Sequence, residues 1–190
     1  MLNHARLQSF TRVVLASCLL YAAALPISAQ NDRRNAGDKS SAGGNWTAFE
    51  SEDTMTLARS VSFELLSDNA LHANRDIPES RIELFCENGK YKASRFTPGV
   101  RLAPPNRPGF WGQPQMEVLV RVDSAHSNHG WNWNGKFLSM DKGTTRELLG
   151  AQIFKIEFLG PKGPEIAEFS PAGIELGRVS HACSLSPKKP

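Results

Sequence analysis

From Thr54 onward, apolar residues recur at every second position in a succession of short runs. Val61, Phe63 and Leu65 alternate with Ser60, Ser62 and Glu64, the spacing of a strand with one buried face. Ile82, Leu84 and Cys86 alternate with Arg81, Glu83 and Glu87, which aims Cys86 inward. Asn88-Gly89 supplies residues that tolerate positive φ, so Lys90–Phe96 is predicted to return as a hairpin partner. The clearest alternation is Met116, Val118, Val120 and Val122 against Glu117, Arg121 and Asp123. A second turn, Asn134-Gly135, separates Gly130–Trp133 from Lys136–Met140. Phe154, Ile156 and Phe158 share one face of a further strand, and Glu165–Phe169 forms a short one beyond Gly160–Pro164.

Helical spacing is confined to two places. Asp141–Ala151 has cap candidates at Asp141 and Thr144, with Leu148 and Leu149 to bury. Gly173–Cys183 places Leu176, Val179 and Cys183 on one side of a closing helix. Pro104–Pro114 (PPNRPGFWGQP) is too rich in Pro and Gly for regular structure, and loops of this length are often functional. Residues 30–52 mix Gly, Ser, Asn and both signs of charge, and read as a flexible tether containing a glycosylation sequon, Asn45-Trp46-Thr47. The expected fold is mainly β: a two-layer antiparallel, sandwich-like single domain over residues 53–184. One or two short helices and one disulfide complete it, and residues 185–190 form a disordered tail.

The first 29 residues have the three parts of a secretory signal. Arg6 and Arg12 precede an apolar run, Val13–Leu25, and Ile27-Ser28-Ala29 follows Pro26 as a cleavage site. The apolar run is shorter than the roughly 20 residues that span a bilayer, so no stable membrane span is expected after cleavage. A lipoprotein reading, with Cys18 of Leu15-Ala16-Ser17-Cys18 acylated, stands beside it. Cleavage removes two of the 22 basic residues and none of the 19 acidic ones, leaving 20 against 19. That balance gives no electrostatic argument for nucleic-acid binding. The expected location is secreted or periplasmic, where the remaining pair, Cys86 and Cys183, would be oxidised to a disulfide, with two buried thiols as the other reading.

No phosphate-cradling loop, nucleophile elbow or paired-cysteine zinc motif is present. His126 and His129, with Asp123 nearby, are the metal candidates if they lie on a turn; a polar solvated hairpin loop is the plainer reading. Ser124 beside His126 is a formal nucleophile pair. The aromatic residues point to binding. Phe110 and Trp111 occupy the proline-rich loop, and Trp131 and Trp133 share a strand face, where they serve either the core or a contact surface.

The order of short motifs resembles a family of exported accessory proteins found with type VI secretion systems, the VasI or TagO type. The resemblance runs from Asp53-Thr54-Met55-Thr56 and Ser60–Ser67 through Leu84-Phe85-Cys86 and Val120-Arg121-Val122-Asp123. It continues through Leu148–Phe158 and Ala167–Ile174 to Ala182-Cys183. Ala70–Ser80, Thr97–Pro114 and the Trp/His-rich stretch before Lys136 depart from that pattern. The resemblance implies an envelope-side accessory or binding domain, with no catalytic residues to transfer. The expectation is therefore a non-enzymatic domain, without cofactor, that binds an envelope protein or glycan. Trp111, Trp131 and Trp133 would be its contacts, supported by Arg121 and Asp123. The alternatives are a hydrolase or metal-dependent enzyme centred on Asp123, His126 and His129, and a structural envelope component.

Overall fold

A computed structural model describes residues 37–71 and 79–188. The signal segment, its cleavage site and Cys18 lie outside the described residues. Eleven strands pair antiparallel in one sheet: β1 (Asp38–Ser41), β2 (Trp46–Glu52), β3 (Arg59–Leu66), β4 (Arg81–Glu87), β5 (Lys90–Thr97), β6 (Arg107–Pro108), β7 (Pro114–Val122), β8 (Ala125–Trp133), β9 (Leu138–Met140), β10 (Phe154–Gly160) and β11 (Gly163–Phe169). Two short helices, α1 (Lys142–Leu148) and α2 (Leu176–Cys183), complete the described fold. The spatial order is β1-β2-β3-β4-β5-β9-β8-β7-β10-β11, with β6 paired to β7.

The two expected layers exist, and they are halves of this single sheet. β5 and β10 stand four strand spacings apart along the sheet, about 19 Å if it were flat. Yet the Phe96 ring of β5 lies 5.2 Å from Phe158 of β10 and 6.1 Å from Phe169 of β11, edge to face. The sheet therefore folds over and buries its own apolar face. The alternating residues expected to face inward do so: Phe63, Leu65, Ile82, Leu84, Met116, Val118, Val120, Phe154, Ile156 and Phe158 are all buried. The segment after β3 completes the enclosure. The Asp68 amide donates to Glu168 O, and the Asn69 side chain bridges Ile166 O and the Glu168 amide along β11.

The tether expectation is corrected over residues 38–52, which form β1 and β2. Gly43 and Gly44, both at positive φ, turn the chain back on itself, and an added Cβ on either would strike the backbone of Ala172–Gly173. Trp46 and Ala48 then enter the core, and the Trp46 indole donates to Pro171 O at 2.8 Å. The disordered-tail expectation is corrected as well over residues 185–188; residues 189–190 lie outside the described residues. Leu185 is buried, Arg146 donates to Ser186 O and Pro187 O, and Lys188 pairs with Glu147 at 2.7 Å.

Cys86 and Cys183 are bonded, with Cα atoms 5.0 Å apart, and the bond fixes α2 to β4 beside the β-bulge at Phe85/Cys86. Val179 and Cys183 are buried, whereas Leu176, expected on the same side, is exposed at the first turn of α2. Asp141 caps α1 by accepting from the Thr144 amide at 2.8 Å.

Trp46→Ala is expected to cost about 3–5 kcal/mol, read from denaturant unfolding, because it empties a closed core site and orphans Pro171 O. Cys183→Ser is expected to cost about 4–5 kcal/mol by release of a loop of 97 residues, measured against the oxidised parent.

Candidate functional site

The residues singled out for binding divide between the two ends of β7. Trp111 precedes its first residue, Pro114, and Asp123 follows its last, Val122. At about 3.3 Å per residue the ends of this run are roughly 30 Å apart. Trp111, Arg121 and Asp123 therefore do not share one contact patch.

At the β7 start, β6 pairs with β7 through Arg107↔Gln115 and Pro108↔Pro114, which makes Gly109–Gln113 the tip of a tight hairpin. The Gly109 amide donates to Gln113 O at 2.8 Å, the Gly112 amide to Gly109 O at 2.9 Å, and the Trp111 amide to Gln113 Oε1 at 2.9 Å. Asn106 Oδ1 accepts from the Glu117 amide and anchors the base. The tip is held by its backbone while its largest side chains stay in solvent. Phe110 is 87% exposed and Trp111 86%, their rings perpendicular with centroids 4.8 Å apart.

Trp131 and Trp133 belong to the interior instead. Trp131 is fully buried, its indole donating to Asp141 Oδ2 at 3.3 Å. Trp133 packs half-buried against the core, and its indole donates to Ala103 O at 3.0 Å. They do share a strand face, and that face is the covered one. The contact role expected of both is therefore corrected: each indole is spent on an internal acceptor.

At the far end of β7, Asp123 adopts φ 52° and turns the chain into β8. Its Oδ1 accepts from the Gln152 and Ile153 amides, both at 2.9 Å, and its own amide donates to Ile153 O. The carboxylate is thereby occupied in holding the entry to β10. Arg121 donates from Nε to Asp123 O at 2.7 Å. Both residues are structural parts of the turn.

The expected polar loop around the histidines is part of β8, because the turn falls earlier, at Asp123. On a strand, residues three apart point to opposite faces, so His126 and His129 do not converge on one ion. His126 also stands opposite Arg121 across β7 and β8, an unfavourable place for a cation. Among the described residues no group of three or more His, Cys, Asp or Glu is placed to hold a metal. The enzyme centre expected around Asp123, His126 and His129 is thus not assembled. His129 meets a different carboxylate, Asp141, with Nδ1 3.2 Å from Oδ2, and Ser127 Oγ lies 2.7 Å from its Nε2. Sequence reasoning missed this grouping because Asp141 reaches the strand only as the cap of α1. The period-two spacing of Ser127 and His129 was the available signal.

A groove of about 650 Å³ crosses the outer face of β2–β5, lined by Phe49, Ser60, Ser62, Phe85, Lys92 and Arg95 among others. Its charges are matched internally. Arg95 donates from Nε and Nη2 to the two oxygens of Glu83 at 2.7 and 2.9 Å, and its guanidinium lies 4.5 Å from the centre of the Phe85 ring. Glu64 and Glu83 are direct cross-strand neighbours, a like-charge pair that Arg81 joins from Glu83's own strand. Burial pushes both carboxyls up. In Glu83 the bonds and charge of Arg95 and Arg81 outweigh burial and hold the pKa below its usual value, while in Glu64 burial and the charge of Glu83 leave it raised.

No protein-family model, curated protein or solved structure matches the chain. Among the described residues no helix is long and apolar enough to cross a membrane.

The two facing carboxylates give opposite pH signs. Glu83, depressed in the folded state, contributes stability that is present above the usual value of 4.5 and lost as pH falls through its lower folded pKa. Glu64, raised in the folded state, contributes a penalty at neutral pH that disappears once both states are protonated. Urea unfolding at pH 7 should therefore show Glu83→Gln destabilised and Glu64→Gln stabilised, each by less than about 1 kcal/mol because both groups are partly solvated. At pH near 3 the Glu64→Gln gain should be absent.

Proposed function

We propose that this chain is an exported binding domain of the cell envelope, and that it grips a protein partner through Phe110 and Trp111. One observation carries the reading: the two largest aromatic side chains of the Pro104–Pro114 loop stand almost fully in water on a tip that its own hydrogen bonds stiffen. Leaving such rings exposed forgoes roughly 3 kcal/mol of transfer free energy apiece. Neither ring props the fold, since both project from it. A rigid tip loses little conformational freedom on docking, so more of the gain from burying the rings is retained as affinity.

The perpendicular arrangement favours a protein over a glycan. Sugars stack on broad ring faces, whereas an edge-to-face pair forms a knob that fits an apolar pocket, the setting in which Trp acts as a hot spot. The signal-like segment, the thiol pair and its bond support placement in an oxidising compartment. The motif order that resembles the VasI or TagO type directs the search for the partner to the envelope side of a type VI secretion system.

A photo-crosslinking residue at position 111, used in the native host, should trap a defined protein, which is then purified. Against that partner Phe110→Ala and Trp111→Ala should each weaken binding by about thirtyfold, the size of a hot-spot loss. Thermal midpoints should stay at the parent value. Unchanged affinity in both variants would remove the finger from the interface. Co-sedimentation with cell-wall sacculi that Trp111→Ala abolishes would make the ligand a glycan instead.

A further inference from the structure

The hydrogen bonds around His129 determine its protonation pattern. Asp141 accepts at Oδ2 from the Thr144 hydroxyl at 2.6 Å and from the Trp131 indole at 3.3 Å, and at Oδ1 from the Thr144 amide at 2.8 Å. With its proton committed to Asp141, the Thr144 hydroxyl offers His129 Nδ1 only a lone pair, at 3.2 Å. Asp141 Oδ2, also 3.2 Å from Nδ1, is an acceptor as well. Both neighbours of Nδ1 therefore require that Nδ1 carry the hydrogen. The neutral ring then presents a bare lone pair at Nε2, and Ser127 Oγ lies 2.7 Å from it with a hydrogen to donate. A hydroxyl, an imidazole in the base tautomer and a carboxylate that orients it stand in line.

We infer that Ser127 is a nucleophile activated by His129, with Asp141 as the positioning residue, and that it reacts with acyl esters approaching from solvent. Ser127 is exposed and His129 is largely covered, so the base is sheltered while the nucleophile is reachable. Along β8 the stretch Ala125–Trp131 pairs with β7 on one side, and β9 pairs only at Asn132 and Trp133. Among the described residues the other edge beside Ser127 thus has backbone amides without a strand partner, a source of donors for a developing oxyanion. In the step itself, Ser127 Oγ bonds to the ester carbonyl carbon as His129 Nε2 takes the hydroxyl proton. The carbon–oxygen bond to the leaving group then breaks, and His129 returns that proton to the departing alkoxide. Water attacks the acyl-serine with His129 again as base, releasing the carboxylic acid and restoring Ser127.

The test is labelling of the purified, oxidised protein with an alkyl fluorophosphonate, whose phosphorus–fluorine bond Ser127 would break in the same way. Peptide mass spectrometry is expected to place one adduct on Ser127, with a rate that depends on pH. His129→Gln should slow labelling at least about a hundredfold, the usual weight of a general base. Asp141→Asn keeps a capping side chain for α1, so the helix is retained while the ring loses its anionic partner. It should slow labelling and flatten the pH profile. Absence of an adduct on Ser127, or equal rates in the parent and His129→Gln, would overturn the proposal. If His129→Gln fails to fold, a parent-like rate and pH profile in Asp141→Asn would overturn it on its own.

Discussion

Helices of seven and eight residues cover little of a sheet of eleven strands, so the apolar face has to be covered by the sheet itself. The interlock of Phe96 with Phe158 and Phe169 is where that happens. Most other features follow from it. Once the halves face each other, the ends of the sheet come close, and the polar groups along β11 meet Asp68 and Asn69 instead of water. The helices are left with smaller tasks: α2 is bolted to β4 by the disulfide, and α1 carries Asp141 to the flank of β8.

Local pattern recorded the strands that are buried on one side and polar on the other. β3, β4, β7 and β10 alternate along most of their length because each has core on one face and water on the other. β1 is exposed at every position and so carries no alternation to read. β2 places only Trp46 and Ala48 in the core, embedded in a Gly- and Ser-rich stretch that composition alone assigns to a tether. What holds β2 is pairing with β3 and an indole bond to a carbonyl 125 residues away, and no window along the chain contains that information. The same limit explains the candidate sites. The aromatic tip was legible because Pro and Gly flank it, whereas His129 acquires its carboxylate from the cap of a helix that follows one turn and one strand later in the chain.

The division of labour along β7 and β8 also has a physical reason. Polar side chains with internal partners, such as Asp123 and Arg121, hold the turn. Trp131 and Trp133 have their indole hydrogens satisfied inside the protein, which suits them to filling volume. Phe110 and Trp111 have no such internal role, and the serine of β8 stands at the surface with a base beneath it. Functional potential in this molecule lies where local bonding is complete but side-chain capacity is left over.

Trp46 needs Pro171, and the backbone carbonyl of Ser41 accepts from Arg178, 137 positions further along. β1 and β2 are therefore completed only once the Pro171 segment and α2 have packed, and contacts of such separation are slow to form. Closure of the described fold is thus a single late event, and whatever loosens α2 also loosens the strands at the opposite end of the sheet.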